Sequence, residues 1–337
     1  MIELQAFTTY FKRCTGDEQA TIVNGLIKLM QQNVTTQLMS STVSEKNQVS
    51  CPHCHSHSIQ ANGKVKGVQR FKCKDCAKYF SETTGTPLAW LKKKGKWIKY
   101  LHCMLMGFSL RECASETGIA LQTSFDWRHK VLSAFKTASA ETFTGILESD
   151  DIFFLHSEKG NKSLDRPGRK RGAKAKKAGI HDEHVAVIVS TDRQGNKDIK
   201  IATHGRISKA DLEKVFEDKI QPETTICTDS HRSYTAFAKS KSLKHQKIKA
   251  NKGQYVKDKV FHVQNVNNTV KRLRDWIRSF NGVSTKYLQN YLNWFMVLEK
   301  LKESTAKISM LVGFAMSTNQ AWFDYKNIAI NHILFRT

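Results

Sequence analysis

At 337 residues the chain can hold two or three compact domains, and its 54 Lys and Arg against 30 Asp and Glu leave a net charge of +24. An excess of that size favours a polyanionic partner over a merely solvated surface. No apolar run approaches the roughly 18 residues a spanning helix needs. The opening Met1-Ile2-Glu3-Leu4-Gln5 lacks the basic-then-apolar pattern of a secretion signal, and the cysteines do not form a secreted disulfide set. A cytoplasmic protein that binds nucleic acid and no membrane is expected.

Residues 1–48 read as helical and carry no further signature. Residues 49–86 carry Cys51-Pro52-His53-Cys54 and, eighteen residues on, Cys73-Lys74-Asp75-Cys76. Two C-x-x-C knuckles supply four thiolates, the closed tetrahedral shell of a structural zinc site. The intervening segment alternates polar and apolar around Asn62-Gly63, which is expected to be a hairpin turn. His53, His55 and His57 lie outside a shell that is already full. They are expected at the surface, as are Lys64, Lys66, Arg70, Lys72, Lys74 and Lys78, which suit a phosphate backbone.

Residues 87–140 have a helix-turn-helix pattern. Trp97, Tyr100, Leu101, Met104 and Leu105 recur at helical spacing. Ser109 and Glu112 form a capping box, Gly118 supplies the turn, and a second helix is expected over 124–135. Its Gln122, Thr123, Ser124, Asp126, Arg128 and His129 are the candidates to face a major groove.

From about residue 141 the pattern changes to strands, at 145–155, 185–191, 197–203 and 224–229, with a less distinct one at 244–250. An amphipathic helix is expected over 209–220. Three strands, a crossover helix and a further strand suggest a mixed sheet of the ribonuclease H type, although periodicity alone does not select it over other α/β sheets. Glu148-Ser149-Asp150-Asp151 and Thr228-Asp229-Ser230-His231 each end a β-branched apolar run. A lone strand-end Asp is usually a turn residue; two on one sheet suggest a magnesium site, because hard cations prefer carboxylate oxygens. Glu148 shares a face with Asp150, while Asp151 points away and is expected to be structural or bound to a basic residue. Lys159 to Lys177 is a basic, Gly-containing stretch, expected to be a mobile loop that clamps DNA. The helical Tyr287, Leu288, Tyr291, Leu292, Trp294 and Phe295 series reads as core, and 301–337 as a helical tail.

In combination these segments resemble the zinc-ribbon ISXO-like group of DDE-type insertion-sequence transposases. The matching stretches are the ribbon, Gly145 to Asp151, Arg169-Lys170-Arg171-Gly172-Ala173-Lys174, Thr228 to Tyr234, His262 to Asn267, and Phe280 to Leu288, within residues 45 to 300. The resemblance implies a multidomain α+β chain: zinc ribbon, helix-turn-helix, then a ribonuclease H-like mixed α/β domain over 141–300. It implies an enzyme that binds the terminal inverted repeats of an element and target DNA as double-stranded partners, as a homo-oligomer on DNA and in the nucleoid. Cleavage and strand transfer would depend on magnesium or manganese, with zinc structural. The first and second acids carry over onto Asp150 and Asp229, and the third catalytic position onto Asn267, with Asn268 as its rival. An Asn there departs from the Glu of many DDE enzymes and removes a charge, for which Glu148 is the candidate helper. Lys271 and Arg274, on the helical face of Asn267, would hold phosphates; Arg169, Lys170, Arg171 and Lys174 would contact DNA. The alternatives are a non-catalytic DNA-binding regulator with a degenerate third domain and a structure-specific nuclease of the same fold.

Overall fold

A computed structural model describes residues 10–19, 21–22, 49–65, 68–140, 142–164, 167–170 and 172–334. Most of the expected helical segment 1–48, with Lys66, Asp165, Arg166 and Arg171, lies outside them. The chain divides into two compact units, residues 1–128 with 306–322 and residues 129–305 with 323–337.

In the first unit, β1 (Ile59–Val65), β2 (Val68–Cys73) and β3 (Tyr79–Ser81) form an antiparallel three-stranded sheet in that order. Asn62-Gly63 is not the hairpin turn. The β1–β2 register shifts between Ala61 and Lys64, and pairing continues to Val65 opposite Val68. The dipeptide is accommodated as a bulge, with Gly63 at φ 63°, a conformation glycine adopts without steric cost. Three helices follow: α1 (Trp97–Leu105), α2 (Leu110–Thr117) and α3 (Leu121–Ala134). The capping box forms as expected. Glu112 N–H donates to Ser109 Oγ at 3.3 Å, and Ser109 N–H donates to Glu112 Oε2 at 2.7 Å. Gly118 closes α2 in the left-handed conformation, φ 59°.

The second unit is built on one five-stranded sheet: β4 (Ile146–Leu155), β5 (His184–Asp192), β6 (Lys197–His204), β7 (Thr225–Thr228) and β8 (Lys244–Lys247). Its spatial order is β6-β5-β4-β7-β8. The first three strands are antiparallel neighbours, whereas β7 runs parallel to β4 and β8 parallel to β7. The first and fourth strands therefore lie side by side, as expected. The crossover helix α4 (Lys209–Phe216) is shorter than the sequence pattern, because Glu217 leaves helical geometry at φ 45°. Ile220 instead makes a bridge to Phe143. With α5 (Arg232–Ser240), α4 covers one face of the sheet, where Leu147, Ala186, Ile188, Phe216, Ile226, Tyr234 and Phe237 form the core.

Helix α6 (Gln264–Ser279) packs on β4 and β5. Its buried Val266, Thr269, Val270, Leu273 and Ile277 form a stripe at helical spacing, flanked by the half-buried Trp276, and the rest of its surface is polar. Helix α7 (Thr285–Leu301) buries Leu288, Tyr291, Leu292, Trp294 and Phe295, so that series is core except for Tyr287, which is half-buried. Helix α8 (Lys307–Met316) belongs to the first unit and packs on α1, and α9 (Ala321–Leu334) ends the described chain. No helix among the described residues is long and apolar enough to cross a membrane.

Candidate active site and metal centre

The four cysteines that could hold zinc are brought together by local backbone. In each knuckle the chain turns back on itself after the second cysteine: Cys51 N–H donates to Ser56 O at 2.8 Å, and Cys73 N–H to Lys78 O at 3.0 Å. Each turn needs a residue at positive φ, His55 at 63° and Ala77 at 57°, directly after Cys54 and Cys76. The four Sγ atoms lie within 4.8 Å of one another. The Cys51–Cys76 and Cys54–Cys73 pairs are each 3.6 Å apart. Zn–S bonds of about 2.3 Å in a tetrahedron put sulfurs about 3.8 Å apart, so the cluster fits zinc. The Cys73 thiol is drawn down to about 7, chiefly by the backbone N–H of Cys76, whereas burial holds Cys51 up and Cys54 is pushed up to about 12, so a bound cation would be needed to make all four thiolates. A Phe71–Phe80 stack, centroids 5.5 Å apart, backs the cluster.

The proposed groove-facing residues separate into two sets. Ser124, Arg128 and His129 are buried and do not face solvent. Ser124 Oγ donates to Leu110 O at 2.9 Å, while Arg128 Nη2 donates to Phe108 O at 2.7 Å and reaches Cys113 Sγ at 3.1 Å. Ser124 and Arg128 lock α3 against α2, and His129 packs on the ring of Tyr287, centroids 4.0 Å apart, inward roles that helical periodicity in a polar stretch does not reveal. Gln122 is exposed and Thr123 partly so, and Gln122 Nε2 donates to Asp126 Oδ1 at 3.1 Å.

In the second unit, β4 and β7 pair in register through Glu148 and Cys227. Asp150 and Asp229 each stand two residues further along these parallel neighbours. Burial pushes the Asp150 carboxyl above its ordinary value; the charge of Asp229 acts in the same direction and that of Arg274 opposes it. Asp151 is pushed up to about 6, first by burial and then by the charges of Asp150 and Asp229. Among the described residues it has no basic ion-pair partner, which leaves the structural role of the two expected for it, and no salt bridge neutralises Asp150, Asp151 or Asp229. Asp229 Oδ1 accepts the N–H of His231 at 3.0 Å, a turn that starts α5.

Glu148 has a different role from the expected auxiliary metal ligand. It is wholly buried, and both of its oxygens are engaged. Oε2 accepts the backbone N–H groups of Asn265 at 2.8 Å and Val266 at 3.0 Å, the free donors of the first turn of α6. Oε1 accepts Asn265 Nδ2 at 3.0 Å, and lies 3.0 Å from Arg193 Nη2 and 3.4 Å from His262 Nδ1. A buried carboxylate held by this many donors, at the positive end of a helix dipole, anchors that helix to the central strand. Arg193 also donates to Val260 O at 3.1 Å and lies 2.7 Å from His262 Nε2, so the segment leading into α6 is fixed as well. Sequence reasoning missed Arg193, which sits in a β5–β6 hairpin and looks like any surface turn residue.

The helix so anchored carries Asn267, Asn268, Lys271 and Arg274, all exposed. Arg274 acts electrostatically on Asp150, and Asn267, seven positions earlier, shares its face, whereas Asn268 is turned about 100° away. At the other end of α6, Lys159 Nζ donates to the carbonyls of Phe280, Asn281 and Gly282 at 3.2, 3.1 and 2.8 Å. Lys159 thus belongs to a helix cap and not to a DNA clamp. Arg169 is also committed, donating to His156 O at 3.1 Å and pairing with Glu183 at 3.5 Å. Lys170 and Lys174 are exposed.

Residues 142–296 match the ISXO2-like transposase domain. Over 269 residues the chain is 26% identical to a protein described as an uncharacterized protein in transposable element ISH50 of Halobacterium salinarum, covering 78% of this chain and 89% of that one. Both matches support an insertion-sequence transposase of this group. Among solved structures, a Mos1 transposase paired-end complex with left transposon end aligns at TM-score 0.28 and 10% identity, over 69% of this chain and 78% of that one. A pre-cleavage Mos1 transpososome aligns at TM-score 0.21 and 9% identity, over 66% and 78%. Likenesses this distant add nothing to the topology.

Proposed function

We propose that this transposase binds the terminal repeats of its element and, with magnesium or manganese, cleaves DNA there and joins the freed 3′-hydroxyl to target DNA, on a sheet of the ribonuclease H type. The observation that carries this reading is the meeting of three elements. Asp150 on β4 and Asp229 beyond β7 each lie two residues past the paired Glu148 and Cys227, and both Asp229 and the Arg274 face of α6 are close enough to act on Asp150. Clustered carboxylates without a neutralising side chain suit a divalent cation. Asp150 and Asp229 would hold it, with the amide oxygen of Asn267 as third donor. The bound ion would supply Lewis-acid activation of water and charge neutralisation at the phosphate. Lys271 and Arg274 would hold the phosphates entering the site. The ribbon and the exposed Gln122 and Thr123, with Lys170 and Lys174, would contact the duplex, on which the protein acts as a homo-oligomer.

One observation favours a second reading, the non-catalytic regulator: with Asn at the third position the site has only two of the three acids of many DDE enzymes. A cleavage and strand-transfer assay on end-bearing duplex with magnesium or manganese decides between them. Asp150→Ala and Asp229→Ala should lose all activity while keeping DNA affinity. Asn267→Ala should be severely impaired, and Asn267→Asp should stay active or shift its metal preference. Wild-type protein inert under every metal condition establishes the regulator; full activity of Asn267→Ala shifts the third position to Asn268.

A further inference from the structure

Between Glu82 and Glu112 the sequence has no acid, five lysines (Lys92, Lys93, Lys94, Lys96 and Lys99) and Arg111. In the middle of this segment Trp90 is 82% exposed, the most exposed large hydrophobic side chain among the described residues. Trp97, Trp127 and Trp294, by contrast, are buried. The backbone of Trp90 is left-handed, at φ 63°. A bulky side chain is an outlier in that region, and such strain persists only where the surroundings impose it. Here they do: Leu88, Ala89 and Leu91 are buried on either side, and the turn is closed by Ala89 N–H donating to Thr86 O at 3.0 Å and Leu91 N–H to Leu88 O at 3.2 Å. The indole thus projects from a braced tip, followed immediately by exposed Lys92 and Lys93 and half-buried Lys94. Lys96 fastens the same loop to the helix-turn-helix, its Nζ donating to the carbonyl of Gly118 at 3.1 Å.

We propose that Trp90 is a DNA-inserting side chain, stacking on a base or wedging into a base step of the bound duplex while Lys92, Lys93 and Lys94 hold the adjoining phosphates. This rests on the DNA-binding reading above and extends it to a contact outside the helix-turn-helix. Charge selects the partner: an exposed aromatic followed by a run of lysines, with no acid from residue 83 to residue 111, fits a polyanion that also offers flat π-faces. The left-handed backbone provides a test that a structural role would fail. Glycine at position 90 should relieve the strain, so a tryptophan kept only for folding would be better replaced by it.

The experiment uses the full chain, a duplex of the terminal sequence flanking the gene, and a random duplex of equal length. Affinity is measured by fluorescence anisotropy in about 0.15 M salt. Trp90→Gly and Trp90→Ala should weaken end binding about ten-fold or more, Trp90→Phe should recover most of that affinity, and Trp90→Gly should melt no lower than wild type. The salt slope should be unchanged in the Trp90 variants. It should fall when Lys92, Lys93 and Lys94 are replaced by Gln, by about 0.9 for each phosphate no longer neutralised. A 2-aminopurine placed along the end duplex should brighten on binding wild type and not on binding Trp90→Ala. Tight wild-type binding with Trp90→Ala equally tight overturns the proposal and leaves DNA binding standing. Loss of self-association in Trp90→Ala with DNA affinity intact overturns it in favour of a contact between copies. No DNA binding by wild type overturns both readings.

Discussion

The ribbon and the acid site are both constructed to gather ligand atoms, and they do so in opposite ways. The four cysteines span residues 51 to 76 and are aimed by turns whose hydrogen bonds close within a few residues. The acid site draws on β4, β7 and α6, and its helix is held by a carboxylate 117 residues away in sequence. In the first, the cysteines themselves set the geometry and a bound metal would complete the fold. In the second, tertiary packing must first position a helix, and only then do the side chains on it acquire a role. The two sites should accordingly fail differently.

Breaking the ribbon should have the largest effect. Structural zinc contributes about 10–16 kcal/mol of apparent binding free energy to small modules, so Cys73→Ser should release the metal and leave residues 49–86 unfolded. Zinc content and protease sensitivity of that segment report it; retention of one zinc per chain would show that a different ligand set holds the ion. Next comes the anchor of α6. Glu148→Ala leaves Arg193 without its carboxylate and two helix N–H groups without their acceptor, a loss of about 3–5 kcal/mol, measurable by denaturant unfolding. Activity sharpens this prediction. If Glu148 anchors α6, Asn267→Asp will not rescue Glu148→Gln; rescue by the added charge would restore Glu148 as a metal ligand.

The smallest effect concerns Asp151. Its folded-state value of about 6 lies above the ordinary 3.8, so between those values the native state binds more protons than the unfolded chain. Stability therefore falls as pH rises from about 4 to about 6. Asp151→Asn should be more stable than wild type at pH 7 by about 1–2 kcal/mol, after discounting for partial solvent exposure, and the gap should close towards pH 4. Parallel stability curves across that range would show that Asp151 is not under electrostatic stress.

What the sequence determined by itself was whatever is encoded over short distances. Four cysteines at knuckle spacing, Ser109 with Glu112, and the run that ends just before Asp229 are local patterns with local causes, and the structure repeats them; Asp150, expected where a run ends, instead lies mid-strand, because β4 continues to Leu155. Three consecutive strands, a crossover helix and a further strand suggest the strand order, which the family resemblance, and not periodicity, selects over other α/β sheets. What only the tertiary structure decided were the roles of polar residues whose partners lie far along the chain. Arg128 turned inward to the Phe108 carbonyl and Lys159 to the end of α6. Glu148 was taken up by Asn265, Val266 and Arg193. A charged side chain has the same sequence signature whether it meets solvent, DNA or a helix end. Which of these it meets depends on where burial places its unsatisfied donors and acceptors, and that is known only once the elements have packed.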